Sequence, residues 1–249
     1  MDVDKEVVML SVIYYTDNRL EKHIIYKIAQ KTVLDSGLPI VSCSLKPIDF
    51  GQNIVIENRV RSYPTMALQI LTALEAATTK YVFFTEHDVL YSKSHWDFLP
   101  PTDDIYYYNV NNYRWLFPDD YLITYSGLTS LSSLCCNRKL AIRHYKLRLD
   151  LIEKWGLDKI RGREPRWARK FGYEPGTKKR RRGGVSDEDH IKRRSVLPNI
   201  DIRHSGTLTP ARWSKEEFRN QENTKGWIEA ENVLPGWGDI RPILDLMRL

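Results

Sequence analysis

Residues 7–18 of the chain read VVMLSVIYYTDN. The run from Val7 to Tyr15 is almost continuously apolar and rich in β-formers, the pattern of a strand covered on both faces, and the polar turn Thr16-Asp17-Asn18 ends it. A helix should follow. Leu20, Ile24, Ile25, Ile28 and Val33 fall close to a 3.6-residue period, and Gly37 with Pro39 supplies the stop. Residues 39–45 read as a second short strand. After a loop containing Asp49 and Gly51, Ser62 can cap a second helix with Pro64 in its first turn, running through Leu68, Ile70, Leu71 and Leu74 to about residue 77. Residues 81–85 make a third strand. This βαβαβ order predicts an α/β fold, a Rossmann-like, mostly parallel sheet flanked by helices, with ligands at the carboxyl ends of the strands.

The second half changes character. DIYYYN (104–109) and DYLITY (120–125) read as strands flanking the aromatic stretch YRWLF (113–117), and Asn137 can cap a helix over residues 138–155. A short helix is expected over residues 186–194 and a strand at NIDIR (199–203), while Ser214 with Glu217 has capping-box spacing. With neither repeat nor clear linker, residues 1–249 are expected to form a single domain, with a nucleotide-binding first half (1–91) and an elaborated second half (92–249).

Composition narrows the function. The 249 residues are 42% hydrophobic and 28% charged, the balance of a globular protein rather than a disordered or membrane-embedded one. Cys43 stands alone and Cys135-Cys136 are adjacent, which gives no zinc spacing and no even disulfide framework, so reduced thiols and a cytoplasmic location (host cytoplasm for a phage-encoded chain) are expected. The acidic start and the short apolar runs disfavour a secretory signal and a transmembrane segment. Residues 161–184 hold ten Lys or Arg against two Glu, so a net charge of +6 overall is a local +8 on a slightly acidic remainder. No G-x-G-x-x-G follows the first strand, and no P-loop or G-x-S-x-G occurs.

The motif TEHDVLY (85–91) directly follows the apolar strand YVFF. Glu86 and Asp88 sit one residue apart where a strand ends, so in extended geometry both carboxylates point to one side and can share a divalent ion. The same triplet also fits a strand end with solvated acids. With the βαβαβ half before it, the YTDN turn at 15–18 and the Glu86-His87-Asp88 turn, the chain resembles the GT-A glycosyltransferases, particularly the family-2-like group. That resemblance implies a GT-A fold over residues 6–205, in which residues 1–91 bind a nucleotide sugar and residues 92–249 the acceptor. It implies Mn²⁺ or Mg²⁺ held by Asp88 and Glu86 against the donor diphosphate, with Asp88 the firmer ligand because the family usually has Asp at both places. His204, in RHSGTLT after NIDIR, stands where many members supply a third ligand, and imidazole suits Mn²⁺ better than Mg²⁺.

Tyr15, Thr16, Asp17, Asn18 and Arg61 are donor-site candidates by position, alongside Glu86, for a nucleotide sugar expected to be UDP-linked. In GGVSDEDHIKRR (183–194) the resemblance puts a catalytic base at Glu188 or Asp187, whereas the same acids followed by Lys192, Arg193 and Arg194 also suit an ordinary helix dipole. Arg166, Arg169, Lys178, Lys179, Arg180, Arg181 and Arg182, interleaved with Trp167, Phe171 and Tyr173, offer charges for phosphates and rings for bases.

The expected function is therefore metal-dependent sugar transfer to an acceptor hydroxyl, with a hydroxymethylated pyrimidine in DNA as the leading acceptor, as in a phage-type DNA-modifying enzyme. A cell-envelope glycan or lipid-linked saccharide is the alternative acceptor. A nucleic-acid-binding protein without activity and a nucleotidyltransferase are the rivals from other classes.

Overall fold

The computed structural model of the chain describes residues 9–20, 22–117, 119, 121–126, 128–159, 165–177, 190–205, 207, 212–218, 221–231 and 233–242. The elements in chain order are β1 (Leu10–Thr16), α1 (Ile24–Leu34), β2 (Ile40–Ser44), β3 (Gln52–Val55), α2 (Tyr63–Ala76), β4 (Tyr81–Glu86), β5 (Val89–Leu90), β6 (Tyr106–Asn109), β7 (Asn112–Leu116), β8 (Tyr121–Thr124), β9 (Leu134–Asn137), α3 (Arg138–Trp155), α4 (Arg166–Phe171), β10 (His190–Arg193), β11 (Asn199–Arg203) and β12 (Ile228–Ala230). Among the described residues, no helix is long and apolar enough to cross a membrane.

A seven-stranded sheet runs in the order β10-β6-β9-β4-β1-β2-β3. It is mostly parallel, as β1 pairs in parallel with both β2 and β4, β2 with β3, and β10 with β6; β9 alone runs against its neighbours β4 and β6. Alternation along β1 explains the layers. Val12 and Tyr14 face a core containing Ile25, Ala29 and Val33 of α1 and residues of the second sheet, while Ile13 and Tyr15 face Ile70, Leu71 and Leu74 of α2 and Leu140, Ala141 and Tyr145 of α3. Each fully buried side chain of this size contributes roughly 1.5–3 kcal/mol, so both faces of β1 anchor the fold.

The caps behave as the residues dictate. Ser62 Oγ accepts the Thr65 amide at the start of α2, and Asn137 Oδ1 accepts the Lys139 and Leu140 amides at the start of α3. The Ser214–Glu217 capping box forms too, closing a single 3₁₀ turn over Lys215–Glu217. The first helix starts later than its apolar period suggests, because His23 Nδ1 accepts the Ile25 amide and becomes the cap.

A smaller five-stranded sheet, β12-β8-β7-β11-β5, carries the elaborated half. The aromatic stretch read as lying between strands contains one of them, β7, whose Trp115 is fully buried. The short helix expected over residues 186–194 is corrected in its described part. Residues 190–193 form β10, paired register for register with Tyr106–Asn109 at the sheet edge. The free edge of β6 overrides the helical dipole pattern, and Arg193 is held by its Nη2 donating to the His95 carbonyl at 2.9 Å and by the Phe98 ring 4.3 Å away.

Candidate active site

The strand order 3-2-1-4 makes the carboxyl ends of β1 and β4 a switch point, where chain connections diverge and a crevice opens. A cavity of about 750 Å³ lies there. Tyr15, Thr16, Asp17, Arg61, Glu86 and Asp88 all line it, so six of the residues singled out in the sequence share one cleft. Tyr15 and Glu86 are register partners across the two strands, and the Tyr15 hydroxyl donates to Glu86 Oε1 at 2.6 Å.

β4 stops at Glu86, and His87 and Asp88 form a turn rather than a continued extended strand. The chain then enters β5, which passes it to the second sheet. β11 pairs antiparallel with β5, and the Ile202 amide donates to the Asp88 carbonyl at 2.9 Å. This handover carries His204, just beyond β11, to the acid turn: its Nε2 is 3.5 Å from Asp88 Oδ2. His87 is fixed from the other side by Thr16 Oγ1, 2.7 Å from its Nδ1.

Ligand atoms of His87, Asp88 and His204 lie within 4.8 Å of one another. Two imidazoles and a carboxylate at that spacing fit a divalent transition ion such as Mn²⁺. Burial alone would push Asp88 up, but the His204 hydrogen bond and the His87, His204 and Arg203 charges outweigh it and hold the carboxylate below its ordinary value. Burial and the Asp88 charge push Glu86 up to about 8, against the pull of Tyr15. The sequence reading had Glu86 rather than His87 beside Asp88 and His204. Here the Glu86 carboxylate is engaged by Tyr15 and His87 joins the cluster.

At the end of β1, Arg61 Nε meets Asp17 Oδ2 at 2.6 Å. Asn18 stands behind the cleft, not in its lining. Its left-handed backbone (φ 62°) turns the chain after β1, and its side chain accepts the Leu45 and Lys46 amides and donates to the Lys46 carbonyl. Gln69 of α2 donates to the Thr16 carbonyl at 2.8 Å and fixes the end of β1 from below.

The opposite wall grows from a buried arginine. Arg148 of α3, 1% exposed, donates through Nη1 to the Tyr63 hydroxyl and, at 2.6 Å, to the Tyr173 carbonyl, while its Nε reaches His144 Nε2 at 3.1 Å. Trp167 is 1% exposed, stacked on Tyr63 at 5.1 Å and edge-on to Tyr173 at 5.5 Å. It belongs to the core, which corrects its assignment as a face for base stacking. Arg166 and Arg169 are exposed on α4. Lys178, Lys179, Arg180, Arg181 and Arg182, and the proposed bases Asp187 and Glu188, lie outside the described residues.

Glu174 was not singled out in the sequence. It lines the cavity, its Oε2 is closed off from solvent with no hydrogen-bond partner, and burial, opposed by the Arg148 charge, pushes its carboxyl up to about 7. A lone acid in GYEPGT, inside the most basic segment of the chain, was the available signal.

No protein-family model and no curated protein matches the chain. Solved structures do overlay on it. The mannosyltransferase PcManGT from Pyrobaculum calidifontis, in complex with GDP-Man and Mn²⁺, is 11% identical over 78% of this chain and 56% of its own, with a TM-score of 0.40. A glycosyltransferase involved in the glycosylation of the major capsid of PBCV-1 is 9% identical over 74% of this chain and 81% of its own, with a TM-score of 0.44. S. aureus TarS 1-349 is 12% identical over 57% and 55%, with a TM-score of 0.32. The chain thus spans little more than half the length of the first of these, 56%.

Proposed function

We propose that the chain is a divalent-metal-dependent glycosyltransferase of the GT-A type, which moves a sugar from a nucleotide sugar to an acceptor hydroxyl. One observation carries this reading: ligand atoms of His87, Asp88 and His204 converge within 4.8 Å of one another at the carboxyl end of β4 in a mostly parallel sheet, and His87 and Asp88 line a cavity of about 750 Å³. His87, Asp88 and His204 would hold the ion. When bound, it supplies positive charge for the oxygens of the leaving diphosphate. Asp17 and Arg61, locked to each other at the lip of β1, are the groups that would orient the nucleoside and phosphates, and the buried Tyr15 hydroxyl holds Glu86 in place beside Asp88.

For the acceptor, we carry forward a hydroxymethylated pyrimidine in DNA, supported by the local +8 of residues 161–184 and by the exposed Arg166 and Arg169. The test is a panel of UDP-, GDP- and dTDP-hexoses with Mn²⁺, offered duplex DNA containing 5-hydroxymethylcytosine and, separately, p-nitrophenyl hexosides. Metal-dependent release of nucleoside diphosphate with a sugar-bearing product is expected. Full transfer in excess EDTA overturns the metal assignment, and transfer to the hexosides alone moves the acceptor to the glycan class. Incorporation of the nucleotide instead of the sugar makes the chain a nucleotidyltransferase.

A further inference from the structure

We propose that Glu174, which lines the cleft and keeps a buried Oε2 without a hydrogen-bond partner, is the group that takes the proton from the acceptor hydroxyl. The proposal rests on the glycosyltransferase reading and adds a residue and a direction of attack to it. Among the described residues that line the cavity, Glu174 Oε2 is the acceptor atom that is buried without a hydrogen bond. A desolvated, unpartnered carboxylate oxygen is costly, and native proteins keep such groups where chemistry uses them.

The backbone around it argues that this placement is built. Four consecutive carbonyls are tied down: Tyr173 by Arg148 Nη1 at 2.6 Å, Glu174 by the Thr177 hydroxyl at 2.8 Å, Pro175 by the Tyr108 hydroxyl at 2.7 Å, and Gly176 by His190 Nδ1 at 2.9 Å. Gly176 has φ 69°, a left-handed conformation that suits glycine and turns the chain under the cleft. These contacts come from α3, β6 and β10 as well as from the segment itself, so the loop is fixed from three elements while the Oε2 of its one acidic side chain is left without a hydrogen-bond partner. Reacting groups held in this way need no reorganisation when substrate arrives.

The charges around Glu174 suit a proton acceptor. Burial disfavours the ionised form of Glu174, and the Arg148 charge favours it. A carboxyl raised to about 7 is poised near neutral pH, where a general base is both available and strong enough. In the step we infer, the acceptor oxygen bonds to the anomeric carbon as its proton passes to Glu174 Oε2. The bond from that carbon to the diphosphate oxygen breaks, and its electron pair leaves with the nucleoside diphosphate. A single displacement of this kind inverts the anomeric centre.

The test uses the full chain with Mn²⁺, UDP-glucose and GDP-mannose as donors, and 5-hydroxymethylcytosine duplex and p-nitrophenyl hexosides as acceptors. Glu174→Gln should lower kcat on the order of 10²- to 10⁴-fold, with the Kd for UDP and Mn²⁺ within about threefold of wild type, as expected when only transition-state stabilisation is lost. The wild-type product should carry the inverted configuration. Glu174→Asp keeps the charge and withdraws it by one methylene; it should lose at least about tenfold in kcat while melting like the wild type, which tests the role even if Glu174→Gln fails to fold. Near-normal turnover in either variant, equal losses in kcat and UDP affinity, or a retained configuration each overturn the proposal. A normal Glu174→Gln beside an inactive Glu188→Gln transfers the role to Glu188. A wild-type chain that consumes no donor with any acceptor overturns the glycosyltransferase reading and the assignment of Glu174 together, an outcome distinct from a defect confined to the variants.

Discussion

The two walls of the cleft treat charge in opposite ways. On the switch-point wall each acid has an assigned partner: Asp17 has Arg61, Glu86 has the Tyr15 hydroxyl, Asp88 has His204, and Asp201 lies between Arg114 and Arg203 at 3.8 and 3.3 Å. On the facing wall the polar groups are spent on the backbone, through Arg148, Tyr108 and His190, and the carboxylate they surround keeps one oxygen free. Asp88, which despite its burial is held below its ordinary value by His204 and the neighbouring charges, keeps its charge at a fixed position and suits the binding of a cation. An unpaired acid in a rigid setting exchanges protons. In the function proposed above, the cleft separates binding from proton transfer by how the neighbours of its acids are placed.

The largest effect should come from removing the charge of the first wall. Asp88→Ala is expected to cost several kcal/mol of transition-state stabilisation, seen as a loss of order 10³-fold in transfer, and to weaken Mn²⁺ binding measured by electron paramagnetic resonance. If Asp88→Ala binds Mn²⁺ as tightly as wild type, the contrast between the walls fails at its stronger side.

Breaking the support of the second wall comes next. Arg148→Met leaves the Tyr173 carbonyl and His144 without their buried donor and should lower stability by about 3 kcal/mol. Urea denaturation measures it, and kcat should fall more than the UDP affinity because the loop that carries Glu174 is loosened. A stability change below about 0.5 kcal/mol, the range of ordinary surface substitutions, means that the arginine is not the keystone of that wall.

The smallest effect is a slope with pH. Glu174 ionises near 4.5 in the unfolded chain and near 7 in the folded one, so between these values the folded state binds more protons. Its contribution is fully present below pH 4.5 and is lost as pH rises through about 7. In the absence of divalent ions wild type should lose up to about 1.4 kcal/mol of stability per pH unit relative to Glu174→Gln in this window. Parallel stability curves for the two proteins leave Glu174 with an ordinary surface acid's titration.

The first wall was legible in the sequence and the second was not. β1, α2 and β4 are local patterns: an unbroken apolar run, a Ser62 cap followed by Pro64, and an apolar strand ending in an acid turn. Periodicity and caps identify such elements because the information lies within a few residues. His204, which the fold brings to 3.5 Å from Asp88, was singled out as well, since NIDIR is a clear strand with a histidine just past its end. The strand β5 has two residues and β10 four, and both exist through pairing with partners far along the chain. No local pattern announces such strands, so His87, which needs β5 and β11 to bring its partner near, stayed hidden inside a motif whose acids drew the attention. Glu174 was hidden for a different reason. Its significance lies in what does not bond to it, and that is decided by Arg148, Tyr108 and His190, residues 26 before, 66 before and 16 after it in sequence.

The pairing of β5 with β11 also bears on which changes of chain length the protein tolerates. Ile200 stands opposite Leu90 and Asp201 opposite Val89, and one residue of slip would turn every side chain of β11 to the other face. Exchanging one apolar residue for another in this strand keeps the register, whereas inserting or deleting a single residue between Asn199 and His204 would rotate the histidine away from Asp88 while leaving the seven-stranded sheet intact. Length variation among descendants of this sequence should therefore collect outside residues 199–204, and inside that span the ancestral count should persist even where the letters drift.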